Sequence, residues 1–211
     1  SADEPVHRGS YRETAVRARQ LAGALEALGV GAGDRVATFA SSTHRHLEIF
    51  YAAAGIGAVC HTINPRLHPD QIAWILNHAA DAVLFAEPAF LAQATAALAS
   101  LDRPVPLVLM ADHARPPVAD TVPADPPALH YEDLLRDAAK GFGASAPWPE
   151  LDENTAAALC YTSGTTGRPK GAMVSQRNRA LAYHYWALEF GIGREDVCLH
   201  CGPFHHTAPF T

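Results

Sequence analysis

A chain of 211 residues, 48% apolar and 18% charged, is large and apolar enough to bury a hydrophobic core without covalent staples. Its formal charge of −6, with no basic run, excludes a nucleic-acid reader or a module for anionic membrane surfaces, but not one local phosphate site. Cys60, Cys160, Cys198 and Cys201 lie in or beside apolar stretches and form no disulfide framework, so a reducing cytoplasm is the simpler setting. Residues 1–10 are polar, without a signal-peptide pattern. The most apolar window, 49–63, is too short and too interrupted by glycine to be a membrane span.

Along the chain, Ser10 and Glu13 form the capping-box pattern S-x-x-E, and Leu21, Leu25 and Leu28 recur on one face. The pattern predicts a helix that stops at Gly29. A strand follows over 35–40, a helix over 43–54, and a strand over 57–63 closed by Asn64-Pro65. Pro69 opens a third helix with Ile72, Ile75 and Leu76 inward and His78 near its end. A strand over 82–86, a helix over 88–98 and a strand over 105–109 continue the alternation. Such alternation predicts the α/β class: a mostly parallel sheet with helices on both faces. Residues 115–127 are proline-rich and read as an irregular surface excursion, followed by a helix over 131–139. The second half reads strand 156–161, glycine-rich loop, strand 172–174, helix 176–190 and strand 197–201.

The glycine-rich loop carries the chemistry. In Tyr161-Thr162-Ser163-Gly164-Thr165-Thr166-Gly167-Arg168-Pro169-Lys170-Gly171, three glycines let backbone N–H groups approach an anion closely. Four hydroxyl side chains add donors, and Lys170 adds a full charge. Lysine is otherwise nearly absent: of sixteen basic residues only Lys140 and Lys170 are lysines. The segment suits a polyphosphate. It is not a Walker loop, because counting from Gly164 puts Pro169 where the second glycine belongs and Gly171 where the magnesium-binding hydroxyl belongs. A plain Ser/Thr/Gly linker would not be expected between two buried strands with Pro-Lys-Gly at its end.

These eleven residues resemble the signature of the adenylate-forming superfamily of acyl-CoA synthetases, luciferases and peptide-synthetase adenylation domains. The resemblance implies that Thr162, Ser163, Gly164, Thr165, Thr166, Gly167 and Lys170 grip the β- and γ-phosphates of ATP, with Thr166 also offered as a contact for Mg²⁺. Further segments extend it. Residues 62–69 (Thr-Ile-Asn-Pro-Arg-Leu-His-Pro) and 75–79 (Ile-Leu-Asn-His-Ala) resemble the medium- and long-chain fatty acyl-CoA synthetase branch. Residues 202–209 (Gly-Pro-Phe-His-His-Thr-Ala-Pro) resemble a segment that usually reads proline, apolar, aromatic, histidine. On that alignment His206 is the motif histidine that positions the reacting carboxylate, and His205 replaces an aromatic residue at the mouth of the acyl tunnel. Gln176 stands where many relatives have histidine.

The implied reaction joins a carboxylic acid, most simply a fatty acid, to CoA through an acyl adenylate, with ATP consumed as its Mg²⁺ complex. Partners would be these small molecules, together with a homodimer contact. By the same resemblance, residues 1–211 are an incomplete N-terminal AMP-binding domain. Adenine, ribose and Mg²⁺ contacts and a small C-terminal domain with a catalytic lysine are expected after Thr211. Two other readings stay open: another branch of acid activation (aryl-CoA ligase or amino-acid adenylation domain), and an inert binding or interaction module.

Cys198, His200, Cys201, His205 and His206 place five metal-ligating side chains within nine residues, so a zinc site competes there. Alternation of Val197, Leu199 and Cys201 instead predicts buried thiols on a strand, with Cys198 and Cys201 on opposite faces. His44, His46, His113 and His130 read as polar or loop residues, and His61, His68 and His78 as satisfied core or cap residues.

Overall fold

The computed structural model describes residues 7–111, 127–139, 147–162 and 168–206. Most of the proline-rich excursion and the central residues of the glycine-rich loop, Ser163, Gly164, Thr165, Thr166 and Gly167, lie outside this set.

The chain forms α1 (Tyr11–Ala27), β1 (Arg35–Phe39), α2 (His44–Gly55), β2 (Val59–Thr62), α3 (Pro69–Ala79) and β3 (Val83–Ala86). A 3₁₀ turn over Pro88–Phe90 leads into α4 (Leu91–Leu98), then β4 (Leu107–Leu109), β5 (Leu129–His130) and α5 (Tyr131–Ala138). The second half adds β6 (Ala156–Thr162), β7 (Lys170–Ser175) and α6 (Gln176–Phe190). The capping box at Ser10 forms as predicted: Glu13 N–H donates to Ser10 Oγ at 3.2 Å, and Ser10 N–H donates to the Glu13 carboxylate at 2.6 Å. After α1, Gly29 takes φ +84°, a conformation that releases the chain toward β1 at no Cβ cost.

Seven strands make one sheet in the order β5-β4-β3-β1-β2-β6-β7, every pair parallel except the antiparallel β6–β7. The predicted mostly parallel α/β sheet is therefore observed. Successive residues on a strand feed opposite faces. Val36, Cys60, Phe85 and Val108 pack with Leu21 and Leu25 of α1, Ile49 and Phe50 of α2, and Tyr131 and Leu135 of α5. Their neighbours Ala37, Phe39, Leu84 and Leu107 pack on the other face with Ile72 and Leu76 of α3 and Leu91 and Ala94 of α4. Two apolar layers thus clamp one sheet.

A polar network locks the first layer laterally. Arg17 donates to Glu48 at 2.8 Å and twice to Glu132 at 3.1 Å; Arg45 donates to Glu132 at 2.9 Å, and Tyr131 O–H to Glu48 at 2.7 Å. Glu48 is buried, so each of its oxygens needs such a partner.

Three expectations are corrected and one element is new. Residues 197–201 are not a strand: Val197 and Leu199 are 96% and 88% exposed, and Cys198 and Cys201 are exposed thiols. Alternation supports a strand only where a neighbouring strand accepts its hydrogen bonds, and β7, the sheet's outer strand, pairs with β6 alone. β7 itself was expected to be buried, but it is an edge strand whose residues Lys170 to Met173 are exposed. His46, read as polar-loop, is buried within α2. Finally, β5 was not foreseen, because a two-residue strand carries no period. Among the described residues no helix is long and apolar enough to cross a membrane.

Candidate active site

In an open α/β sheet the strands' carboxyl ends present loops and unpaired backbone groups together, which is where ligands bind. Thr62 ends β2 and Thr162 ends β6, and these strands are parallel neighbours with Thr62 opposite Cys160. β7 runs back from the same edge, so its first residue, Lys170, sits directly opposite Thr162. Thr162 Oγ1 donates to the Lys170 carbonyl at 3.5 Å, and the Lys170 side chain is exposed. A hydroxyl and an ammonium thus flank the stretch 163–167 at its two roots.

The segment with the motif histidine reaches the same edge. Phe204 N–H donates to Ser42 Oγ at 2.9 Å, and Ser42 O–H donates to the Gly202 carbonyl at 3.5 Å. The His205 carbonyl accepts from Thr62 O–H at 3.3 Å and Cys160 S–H at 3.5 Å. Phe204 packs edge-on against His46 with ring centroids 5.7 Å apart. His206 is exposed, its backbone turned by a hydrogen bond from its N–H to the Pro203 carbonyl at 3.0 Å. Thr162, Lys170 and the His206 segment therefore share one rim of the sheet. Ser42, Thr62 and Cys160, which hold that segment, were not foreseen as site residues, because no local pattern marks a side chain whose partner lies 45 to 162 positions away.

Electrostatics on this rim follow from burial. His205 is pushed below its ordinary range by burial first, then by Arg66 and His206. His46 is pushed down to about 4 by burial, against the hydrogen bond to Ser41. It is therefore neutral at physiological pH: Nδ1–H donates to the Ser41 carbonyl at 2.9 Å and Nε2 accepts from Thr38 O–H at 2.9 Å. The Tyr161 phenol is raised by burial first and then by Asp81.

The donor set, one ammonium and hydroxyls around a strand-to-strand connection, fits an anionic polyphosphate and offers it no carboxylate of its own. A Cβ at Gly171 would lie 3.1 Å from Leu159 and 3.2 Å from the Tyr161 ring, so any side chain there requires these neighbours to shift by a few tenths of an ångström. Among the described residues no group of three His, Cys, Asp or Glu could hold a metal ion, the Cys198–His206 stretch included.

The chain is similar to known proteins over nearly its whole length. A family model described as AMP-binding enzyme matches residues 3–211. The chain is 41% identical over 208 residues to the 3-methylmercaptopropionyl-CoA ligase of Ruegeria lacuscaerulensis, covering 97% of this chain and 37% of the relative. It is 43% identical over 203 residues to the medium-chain-fatty-acid–CoA ligase of Ectopseudomonas oleovorans, covering 95% and 36%. The ATP-bound structure of MatB from Rhodopseudomonas palustris superposes with a TM-score of 0.72 at 26% identity, over 95% of this chain and 36% of that one. The chain thus spans a little over a third of the length of each.

Proposed function

Because this chain belongs to the AMP-binding enzyme family, we propose that the full-length protein activates a carboxylic acid with ATP and transfers the acyl group to CoA, with a medium- or long-chain fatty acid as the acid. The observation that carries the reading is the shared rim: Lys170 opposite Thr162, with the His206 segment hydrogen-bonded to Thr62 and Cys160 beside them.

In the first step a carboxylate oxygen attacks the α-phosphorus of ATP; the bond to the departing pyrophosphate breaks and an acyl adenylate forms. In the second, the CoA thiolate attacks the acyl carbon and AMP leaves with the electron pair of the cleaved C–O bond. Such chemistry needs in-line positioning and neutralised leaving-group charge more than covalent help from protein. Lys170 neutralises the pyrophosphate, an attraction on the order of 4 kcal/mol per phosphate charge at ~4 Å and an effective dielectric of about 20. Thr162 donates from the opposite strand, Ser163, Gly164, Thr165, Thr166 and Gly167 add backbone and hydroxyl donors to the grip, and Thr166 would offer its hydroxyl to Mg²⁺. That ion, when present, supplies further charge neutralisation on the phosphate oxygens. His206 orients the carboxylate.

Identity of 43% to a medium-chain-fatty-acid–CoA ligase supports the fatty-acid reading. Identity of 41% to a 3-methylmercaptopropionyl-CoA ligase supports a second reading, a short acid. His205 bears on the choice: a half-buried imidazole at a position held by an aromatic residue in the motif makes the tunnel mouth more polar.

Acid-dependent ATP–pyrophosphate exchange by the full-length protein, screened from acetate to palmitate with an aryl and an amino acid included, tests the assignment. Exchange and acyl-CoA formation are expected with medium or long acyl chains. Activity confined to short, aryl or amino acids would reject the fatty-acid reading, and no exchange with any acid would reject acid activation.

A further inference from the structure

On α3, Trp74 and His78 stand one turn apart with rings stacked at 4.6 Å and 23°. Both reach the end of β6. His78 Nδ1 and the Tyr161 hydroxyl share a hydrogen bond of 2.6 Å, and the Tyr161 ring lies edge-on to Trp74 with centroids 6.2 Å apart. From the other root of the same stretch, the Arg168 guanidinium sits over the indole of Trp74, 5.6 Å from its centroid. One half-buried indole therefore contacts both Tyr161, the residue before Thr162, and Arg168, two residues before Lys170.

The platform beneath is rigid. The Tyr161 ring lies 5.3 Å from His61, a fully buried side chain on β2 whose Nδ1–H donates to both oxygens of buried Asp81 at 2.8 and 2.9 Å. Asp81 is fixed in turn, its carbonyl accepting from Arg103. Gly171, opposite Tyr161, leaves open the space in which the phenol lies. Arg168 is an exposed side chain that precedes β7, and Tyr161 is the penultimate residue of β6. A cation over an indole face, with an aromatic edge against the same indole, gives each a defined position.

We propose that Trp74, backed by His78, is a positioning residue for the pyrophosphate-gripping segment, holding Tyr161 and Arg168 so that Thr162 and Lys170 face the same bound anion. The inference rests on the reading of 162–171 as that segment. Trp74 touches no substrate; it acts through the two residues it holds. Loss of its indole lets Lys170 wander relative to Thr162, so MgATP binding suffers while the acid site, formed by the His206 segment on β2 and β6, does not.

The full-length protein decides it through two readouts on Trp74→Ala, Trp74→Phe, Arg168→Ala and the double variant Trp74→Ala/Arg168→Ala. In exchange kinetics, Trp74→Ala is expected to raise KM for MgATP about tenfold with KM for the acid changed less than about twofold, a split that a general loss of stability does not produce. Trp74→Phe, which keeps a ring face, should recover most of the loss. The double variant should be no worse than the weaker single variant, because both remove one contact. Amide hydrogen exchange at Thr162 and Lys170, measured without substrate, should accelerate about tenfold in Trp74→Ala. A folded Trp74→Ala protein with unchanged KM for MgATP and unchanged exchange at these amides overturns the proposal, as does full additivity in the double variant. If Trp74→Ala does not fold, Arg168→Ala, altered at an exposed side chain, must by itself raise KM for MgATP and loosen both amides, or the proposal falls. A wild-type protein inactive with every acid rejects the catalytic reading, and amide exchange then decides the positioning role alone.

Discussion

The hydroxyl of Thr62 donates to the carbonyl of His205 at 3.3 Å, joining the end of β2 to a segment 143 residues further along the chain. The same carbonyl accepts from Cys160 S–H at 3.5 Å, so one backbone oxygen is held by two neighbouring strands. Thr62→Val removes the stronger donor while keeping the side chain's shape. Loss of one neutral hydrogen bond is worth about 1 kcal/mol, or roughly a fivefold change. In the full-length protein, KM for the acid should rise by about that factor with KM for MgATP unchanged. Equal effects on both constants would detach the His206 segment from the acid site.

Lys170→Ala should weaken adenylation without weakening the fold. The side chain is exposed on the first residue of an edge strand, so its removal opens no cavity. A charged hydrogen bond contributes about 1.5–3 kcal/mol, which translates into roughly a ten- to hundredfold loss in kcat/KM for ATP. Wild-type kinetics in this variant would mean that the phosphates lie elsewhere.

Stability should fall as pH drops from about 6.5 toward 4, and His46 should account for part of the fall. The unfolded chain protonates this imidazole near its ordinary value of 6.5, the folded chain only near 4. Between these values the unfolded state binds more protons, so stability is complete above the upper value and lost on approach to the lower one. A shift of this size corresponds to on the order of 3 kcal/mol for a buried group. His44, pushed down to about 4 by burial and by His7, adds a loss of the same sign. Urea midpoints at pH about 7.5 and about 5, where most carboxylates remain ionised, should converge in His46→Gln relative to wild type. An unchanged gap would remove His46 from the account.

The exposed apolar side chains of α6 should drive self-association of the 211-residue chain. Leu181, Tyr185, Trp186, Leu188 and Phe190 are all exposed around this helix, with Trp186 and Phe190 stacked at 5.0 Å, whereas Arg179 is the helix's one buried side chain among the described residues. So large an apolar surface is unusual for a free monomer. Sedimentation velocity should show concentration-dependent association, reversed by Leu188→Glu with Phe190→Glu. These changes should cost about 0.5 kcal/mol or less in stability, since both side chains already face water. A monomer at every concentration would reject the prediction.

Local physics was enough for much of this molecule. The capping box at Ser10, Pro69 at a helix start, and apolar runs separated by short turns act through neighbours a few residues away, so the α/β alternation and most element boundaries could be read directly from residue order. The hydroxyl-rich, glycine-rich run ending in Pro-Lys-Gly carried its chemistry in the same local way, and with it the family. What required the tertiary structure was every property that depends on a distant partner. Residues 197–201 alternate like a strand yet form none, because no strand beyond β7 accepts their hydrogen bonds among the described residues. His46 was read as polar or loop and is buried by topology, made tolerable by Thr38 and Ser41. The meeting of Trp74 with Arg168 and of Thr62 with His205 follows from strand order, which sets β2 beside β6 and brings α3 to the same rim; spacing along the chain holds no trace of it.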